Sequence, residues 1–81
     1  MALTKLRVTT GGVSLPHVKI LAGEVIQTWV DTGESGIIEV DLADNYCAIL
    51  KVAFRHDLFP SDYTATLILE SGGDYIFEIP T

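Results

Sequence analysis

Eighty-one residues are enough for one hydrophobic core and one domain spanning 1–81, and they exclude a second. With 48% apolar and only 20% charged residues, the chain is too hydrophobic to stay disordered. A net charge of −6 and a pI near 4.5 argue against nucleic acid as a partner, and the single cysteine, Cys47, excludes an internal disulfide and a cysteine-built zinc site.

Leu3 to Thr10 alternates between Thr4, Leu6, Val8 and Thr10 on one face and Leu3, Lys5, Arg7 and Thr9 on the other, the period of a half-buried strand. Gly11-Gly12 ends it. Leu15 to Ala22 is expected to be the next strand, with Val18, Ile20 and Ala22 sharing a face and Pro16 placing its start at a sheet edge. Glu24 to Asp31 is apolar on both parities, through Val25 and Trp29 on one side and Ile26, Thr28 and Val30 on the other. That pattern predicts a strand covered on both faces.

After the polar loop Thr32 to Gly36, Ile38, Val40 and Leu42 alternate with Glu39 and Asp41 in the cleanest strand of the chain, and Asp44-Asn45 suits a tight hairpin turn. Tyr46 to His56 reads two ways. As a strand it places Tyr46, Ala48, Leu50, Val52 and Phe54 on one face; as a helix capped by Asp44 or Asn45 it aligns Asp44, Ala48, Lys51 and Arg55. The strand is preferred, because the aromatic and β-branched residues fall almost entirely on one parity. Asp57 to Asp62 is a loop. Tyr63 to Glu70 and Tyr75 to Ile79, joined by Ser71-Gly72-Gly73-Asp74, are expected to form a β-hairpin.

About seven short strands with regular turn signals predict an all-β fold, a small single-domain antiparallel β-sandwich of immunoglobulin-like or jelly-roll-like type, with a small β-barrel as the alternative. Lys5 and Arg7 interrupt the opening apolar run and no long uncharged stretch exists, so neither a secretion signal nor a membrane span is expected. The compartment expected is the cytoplasm or a virion.

No residue set reads as catalytic, cofactor-binding or metal-ligating. His56 and Asp57, with Asp62 near by, form the only cluster of imidazole and carboxylates, and a surface histidine at a strand end explains it without chemistry. A metal joining His17 and His56 would need a spatial coincidence and a carboxylate. Cys47, within an apolar run, reads as a small core residue. Neither Gly11-Gly12 nor Gly72-Gly73 precedes the Lys-Ser/Thr of a phosphate-binding loop, and the acids from Asp31 to Asp44 lack calcium-loop spacing.

The surface is more suggestive. Leu58 and Phe59 sit in a loop where polar residues are usual, and Leu21 and Ile49 fall on strand faces that otherwise look outward. Trp29, Tyr46, Tyr63 and Tyr75 are further aromatic anchors, most of them expected in the core. Residues 1–23 hold three cations, Lys5, Arg7 and Lys19, and no acid, while 24–81 hold two cations and all eleven acids. If that asymmetry persisted in space, Lys5 and Arg7 would favour head-to-tail contact between copies. The protein-interface expectation therefore comprises Leu21, Trp29, Ile49, Leu58, Phe59, Lys5 and Arg7.

The function expected is a non-enzymatic structural or accessory subunit of a larger assembly, by self-association or by docking on another protein, with a capsid-decorating or tail protein of a phage or virus as the leading setting. The alternatives are a small acidic inhibitor of a basic site on a nucleic-acid-processing complex and a carbohydrate-binding module exposing Trp29 or tyrosines.

Overall fold

The computed structural model of the protein describes residues 2–80. It is all β, with eight strands: β1 (Ala2–Thr10), β2 (Val13–Ser14), β3 (Lys19–Ala22), β4 (Ile26–Asp31), β5 (Ile37–Leu42), β6 (Cys47–Arg55), β7 (Tyr63–Glu70) and β8 (Asp74–Ile79). They form two packed four-stranded sheets, and no barrel closes among the described residues.

In one sheet β1 is central. Its first part pairs antiparallel with β5 and its last two residues with β2, while β8 runs parallel along the other side, Lys5 opposite Asp74 and Thr10 opposite Ile79. The other sheet has the antiparallel order β4-β3-β6-β7. The 44–57 segment is thus mostly strand rather than helix.

Alternation explains the core. Leu6 and Val8 from β1, Ile20 and Ala22 from β3, Leu50, Val52 and Phe54 from β6, and Ile79 from β8 all turn inward. Phe54 is fully buried and stacks on Phe77 with ring centroids 4.7 Å apart, and Tyr63, the cross-strand partner of Phe54, tilts against Phe77 at 5.7 Å. The buried hydroxyls have partners: Thr4 donates to Glu70 O at 2.8 Å, and Thr32 Oγ1 accepts from Val18 N at 3.1 Å. No buried side-chain polar atom of the described residues is left unpaired, as a stable interior requires.

Four expectations are corrected. Tyr63–Glu70 and Asp74–Ile79 do not form a hairpin: β7 pairs with β6, and β8 crosses to the opposite sheet and pairs with β1. Both strands have one apolar face, and laying Phe77 against Tyr63 and Phe54 across the layers buries those faces better than setting the strands side by side. Asp44-Asn45 likewise turns the chain, with Asn45 at φ 65° and Tyr46 N donating to Ala43 O at 3.0 Å, but it joins two sheets instead of two paired strands.

The expected strand over Leu15 to Ala22 is broken at Pro16-His17, where His17 takes φ 58°, and the part that follows is an inner strand, not an edge. Finally, Glu24 to Asp31 is not covered on both sides. β4 is the edge of its sheet, and only Ile26 within it is buried.

The turn Thr32 to Gly36 returns the chain from β4 to β5 directly over the β2–β3 crossing. Gly36, at φ 71°, lies so close that a Cβ there would stand 2.8 Å from Leu15 O, and its own carbonyl accepts from Val8 N at 3.0 Å. Only glycine fits both the backbone conformation and the approach.

Candidate functional site

At one end of the sandwich the β6–β7 loop folds back on the β2–β3 crossing. His56 Nε2 lies 3.0 Å from Pro16 O, and His56 Nδ1 accepts from Leu58 N at 3.0 Å. Those two contacts fit the neutral imidazole carrying its proton on Nε2. Phe59 N donates to His56 O at 3.0 Å, which closes the loop as a turn.

Beside it, Arg55 forks onto Asp62 through two 2.8 Å hydrogen bonds and lays its guanidinium 4.2 Å from the centre of the Trp29 ring. The Arg55 contact holds Asp62 below the usual carboxylate range, and Asp62 in turn raises Arg55. Asp31 is also lowered, first by the Gly33 amide at 2.7 Å and then by His17, whose Nδ1 is 3.3 Å away.

These groups surround a shallow polar depression of about 170 Å³ lined by His17, Lys19, Asp31, Arg55, His56 and Asp57. Both histidines and two carboxylates therefore meet in space, a proximity the sequence does not announce. The arrangement is nevertheless a set of internal clasps. Both nitrogens of His56 are committed to main-chain groups, and Arg55 and Asp31 are committed to neighbours. Among the described residues no group of three His, Cys, Asp or Glu side chains has metal-binding geometry.

Next to this depression opens an apolar cleft of about 360 Å³ between the sheets, walled by Leu15, Leu58, Phe59, Pro60, Ile79 and Pro80. Leu58 stands 75% exposed at its rim. Phe59 is half-buried: its ring packs against the core, lies 5.4 Å from the His56 ring and forms part of the cleft wall.

The outer faces of the two sheets carry the remaining apolar surface. On the β4-β3-β6-β7 sheet, Ile49 of β6 and Ile68 of β7 are direct cross-strand partners, and they are 71% and 57% exposed. Leu21 and Trp29 lie on the same outer face, both half-buried. Cys47 is exposed there too, which corrects its expected place in the core: it shares the outward parity of Ile49. One face of the Trp29 ring is covered by Arg55.

On the other sheet Leu3 and Ile76 project outward on the face of Lys5 and Arg7. Lys5 sits between Glu39 and Asp74 on the neighbouring strands, and Arg7 sits between Ile37 and Ile76. Lys19 stands opposite Asp31. The sheets thus interleave the cationic first segment with the acidic remainder, and the charge asymmetry of the sequence does not become a cationic pole.

The seven expected interface residues fall in three places: Leu21, Trp29 and Ile49 on one outer face, Lys5 and Arg7 on the opposite face, and Leu58 and Phe59 at one end. Sequence reading missed Ile68 and Ile76. Each has outward parity within a strand recognised correctly, and that parity was the available signal. Among the described residues no helix is long and apolar enough to cross a membrane. The chain matches no known protein-family model, and no curated protein matches its sequence.

Proposed function

We propose that the protein is a non-enzymatic structural subunit whose outer sheet faces are covered by other protein in a larger assembly. The observation that carries this reading is the pairing of Ile49 with Ile68, two large aliphatic side chains adjacent across strands and both open to solvent. Cross-strand aliphatic pairs in a finished monomer normally face a core, and a contiguous apolar patch on a small domain marks a contact surface. Ile76, 70% exposed on the opposite face, gives the domain a second such surface.

A subunit with contact surfaces on both broad sides suits a shell, tail or similar ordered array, in which each copy is sandwiched between neighbours. The polar depression supports the same reading, because its histidines and charges hold loops together rather than converge on a vacant reacting position.

The test replaces one exposed isoleucine per face. Ile49→Lys and Ile76→Lys are expected to fold as the parent does, by far-ultraviolet circular dichroism, and to be excluded from the complex that the parent chain enters in its native cells. Entry of both variants at the parental level overturns the reading.

A further inference from the structure

β7 is an edge strand with none of the protection that the other edges carry. β4 is set off by a register shift between Ile20 and Ala22, β5 bears Glu39 and Asp41, β8 bears Asp74 and Glu78 and is followed by Pro80, and β2 is only two residues long. β7 runs for eight residues, Tyr63–Glu70, with no proline, no shift in its pairing with β6, and a single charge at its last position. Such an edge is an open template for another strand.

The direction of its main-chain groups follows from bonds at two places. Lys51, opposite Thr66, gives its carbonyl to Gly23 N on the β3 side at 3.1 Å, so the Lys51–Thr66 pair exchanges no hydrogen bonds. At the end of the strand Ser71 N donates to Tyr46 O at 2.9 Å, whereas Glu70 uses Tyr75 Oη, Gly73 N and Thr4 Oγ1. The even-numbered residues therefore turn their N–H and C=O groups away from β6. Those of Glu70 are occupied, and Thr64, Thr66 and Ile68 present theirs along the free edge.

We infer that β7 pairs with β7 of a second copy of this chain, antiparallel about a two-fold axis at Thr66. This names the contact within the assembly reading above and rests on it. In that register Thr66 faces Thr66 of the second copy, and Thr64 faces its Ile68. These are bonded pairs, so each of the three exposed N–H groups of one copy meets a C=O of the other, with none left over. A register moved by two residues sets either Thr64 against Glu70, whose groups are already taken, or Ile68 against Asp62, which lies outside the strand. A move by one would oppose groups pointing in different directions.

The side chains agree. On the inner side Leu67 meets Ala65 and Leu69 meets Tyr63, a large residue beside a smaller one in the first pair, and the half-buried Ala65, Leu67 and Tyr63 gain cover. On the outer side residues 64–68 carry no charge, and where Glu70 comes opposite Asp62 of the second copy the Arg55 fork already offsets the Asp62 carboxylate. The result is a continuous eight-stranded sheet that carries the Ile49–Ile68 pairs of both copies on one face.

The test uses full-length protein in a Cys47→Ser background, with nitroxide labels on Thr66→Cys, Thr64→Cys or Ile68→Cys. Across the axis the Thr66 positions lie ~5.5 Å apart at Cα, whereas each of the others is about 14 Å from its own copy. Dipolar broadening is expected to be strongest at 66 and equal at 64 and 68. Thr66→Lys, which sets like charges face to face on an exposed position, is expected to weaken the dimer at least ~10-fold while leaving circular dichroism unchanged.

No broadening at millimolar protein, or strongest broadening at 64 or 68, overturns the pairing. A complex that survives Thr66→Lys but is lost with Ile76→Lys overturns it as well, and leaves the assembly reading standing.

Discussion

The imidazole of His56 bridges two loops that are forty residues apart in sequence, with Nε2 3.0 Å from Pro16 O and Nδ1 accepting the Leu58 amide. Replacing it with alanine removes both bonds at once. His56→Ala is expected to lower the thermal midpoint by about 4 °C, the shift that ~1 kcal/mol produces in a domain of this size. Amide exchange should accelerate at Leu58 and Phe59. Unchanged protection at these two amides would show that the loop is held by other contacts.

Gly36 and Gly33 make a matched pair of positions. Both take φ above 70°, but a Cβ at Gly36 meets Leu15 O at 2.8 Å, whereas one at Gly33 meets nothing within 4 Å. Gly33→Ala therefore carries only the backbone term, about 1 kcal/mol, and Gly36→Ala adds a clash with main chain and should lose ~2–4 kcal/mol in urea unfolding. Equal losses would contradict the close approach of the two crossings.

Much of the fold was legible in the sequence, and the illegible parts have one cause. Period two identifies a strand and its buried face, as it did for Cys47–Arg55 with Leu50, Val52 and Phe54 inward, but it carries no information about which neighbour the strand takes. Tyr63–Glu70 and Asp74–Ile79 have the same alternation whether they lie side by side or face to face, and a glycine turn serves either. The Trp29 strand misled for a related reason. Apolar residues on both parities suggested burial, while Arg55 covers the outward indole and Val30 stays at the edge.

For the candidate site, outward parity places Ile49 on an exposed face, and the same parity places Ile68 and Ile76 on theirs. The meeting of His17 with His56 depends on loop crossings that no local pattern encodes. Phe59 was apolar in a loop because it plugs the end of the core.

The Phe54–Phe77 stack ties the two sheets together at the centre of the core. Phe54→Ala is expected to cost about 3–5 kcal/mol, a large share of the stability of a domain this small, and to leave a substantial unfolded population at room temperature. Near-ultraviolet circular dichroism measures it directly. A cooperative transition close to that of the parent would place the centre of the core elsewhere.

Acid should weaken the fold through three carboxylates. Glu78 takes hydrogen bonds from the Thr9 hydroxyl and the Gly12 amide and is held below its ordinary 4.5; Asp31 and Asp62 are held below 3.8 by the Gly33 amide and by Arg55. Because folding lowers these values, their contribution is complete above the unfolded-state pKa and is lost as the pH falls through the folded-state values. The thermal midpoint should be flat near neutrality and drop below about pH 4.5. Glu78→Gln should start from a lower midpoint and show a shallower acid drop. A variant profile parallel to the parent's would remove Glu78 from the account.

The claim on which the functional reading depends is that these apolar faces do not meet water in the working state. The direct measurement is the mass of the untagged chain isolated from its native cells without denaturant. The account predicts that it travels in stoichiometric amount within a complex many times its own 8.8 kDa. Recovery as a free 8.8 kDa chain, with Ile49, Ile68 and Ile76 open to solvent-phase labelling, would contradict it.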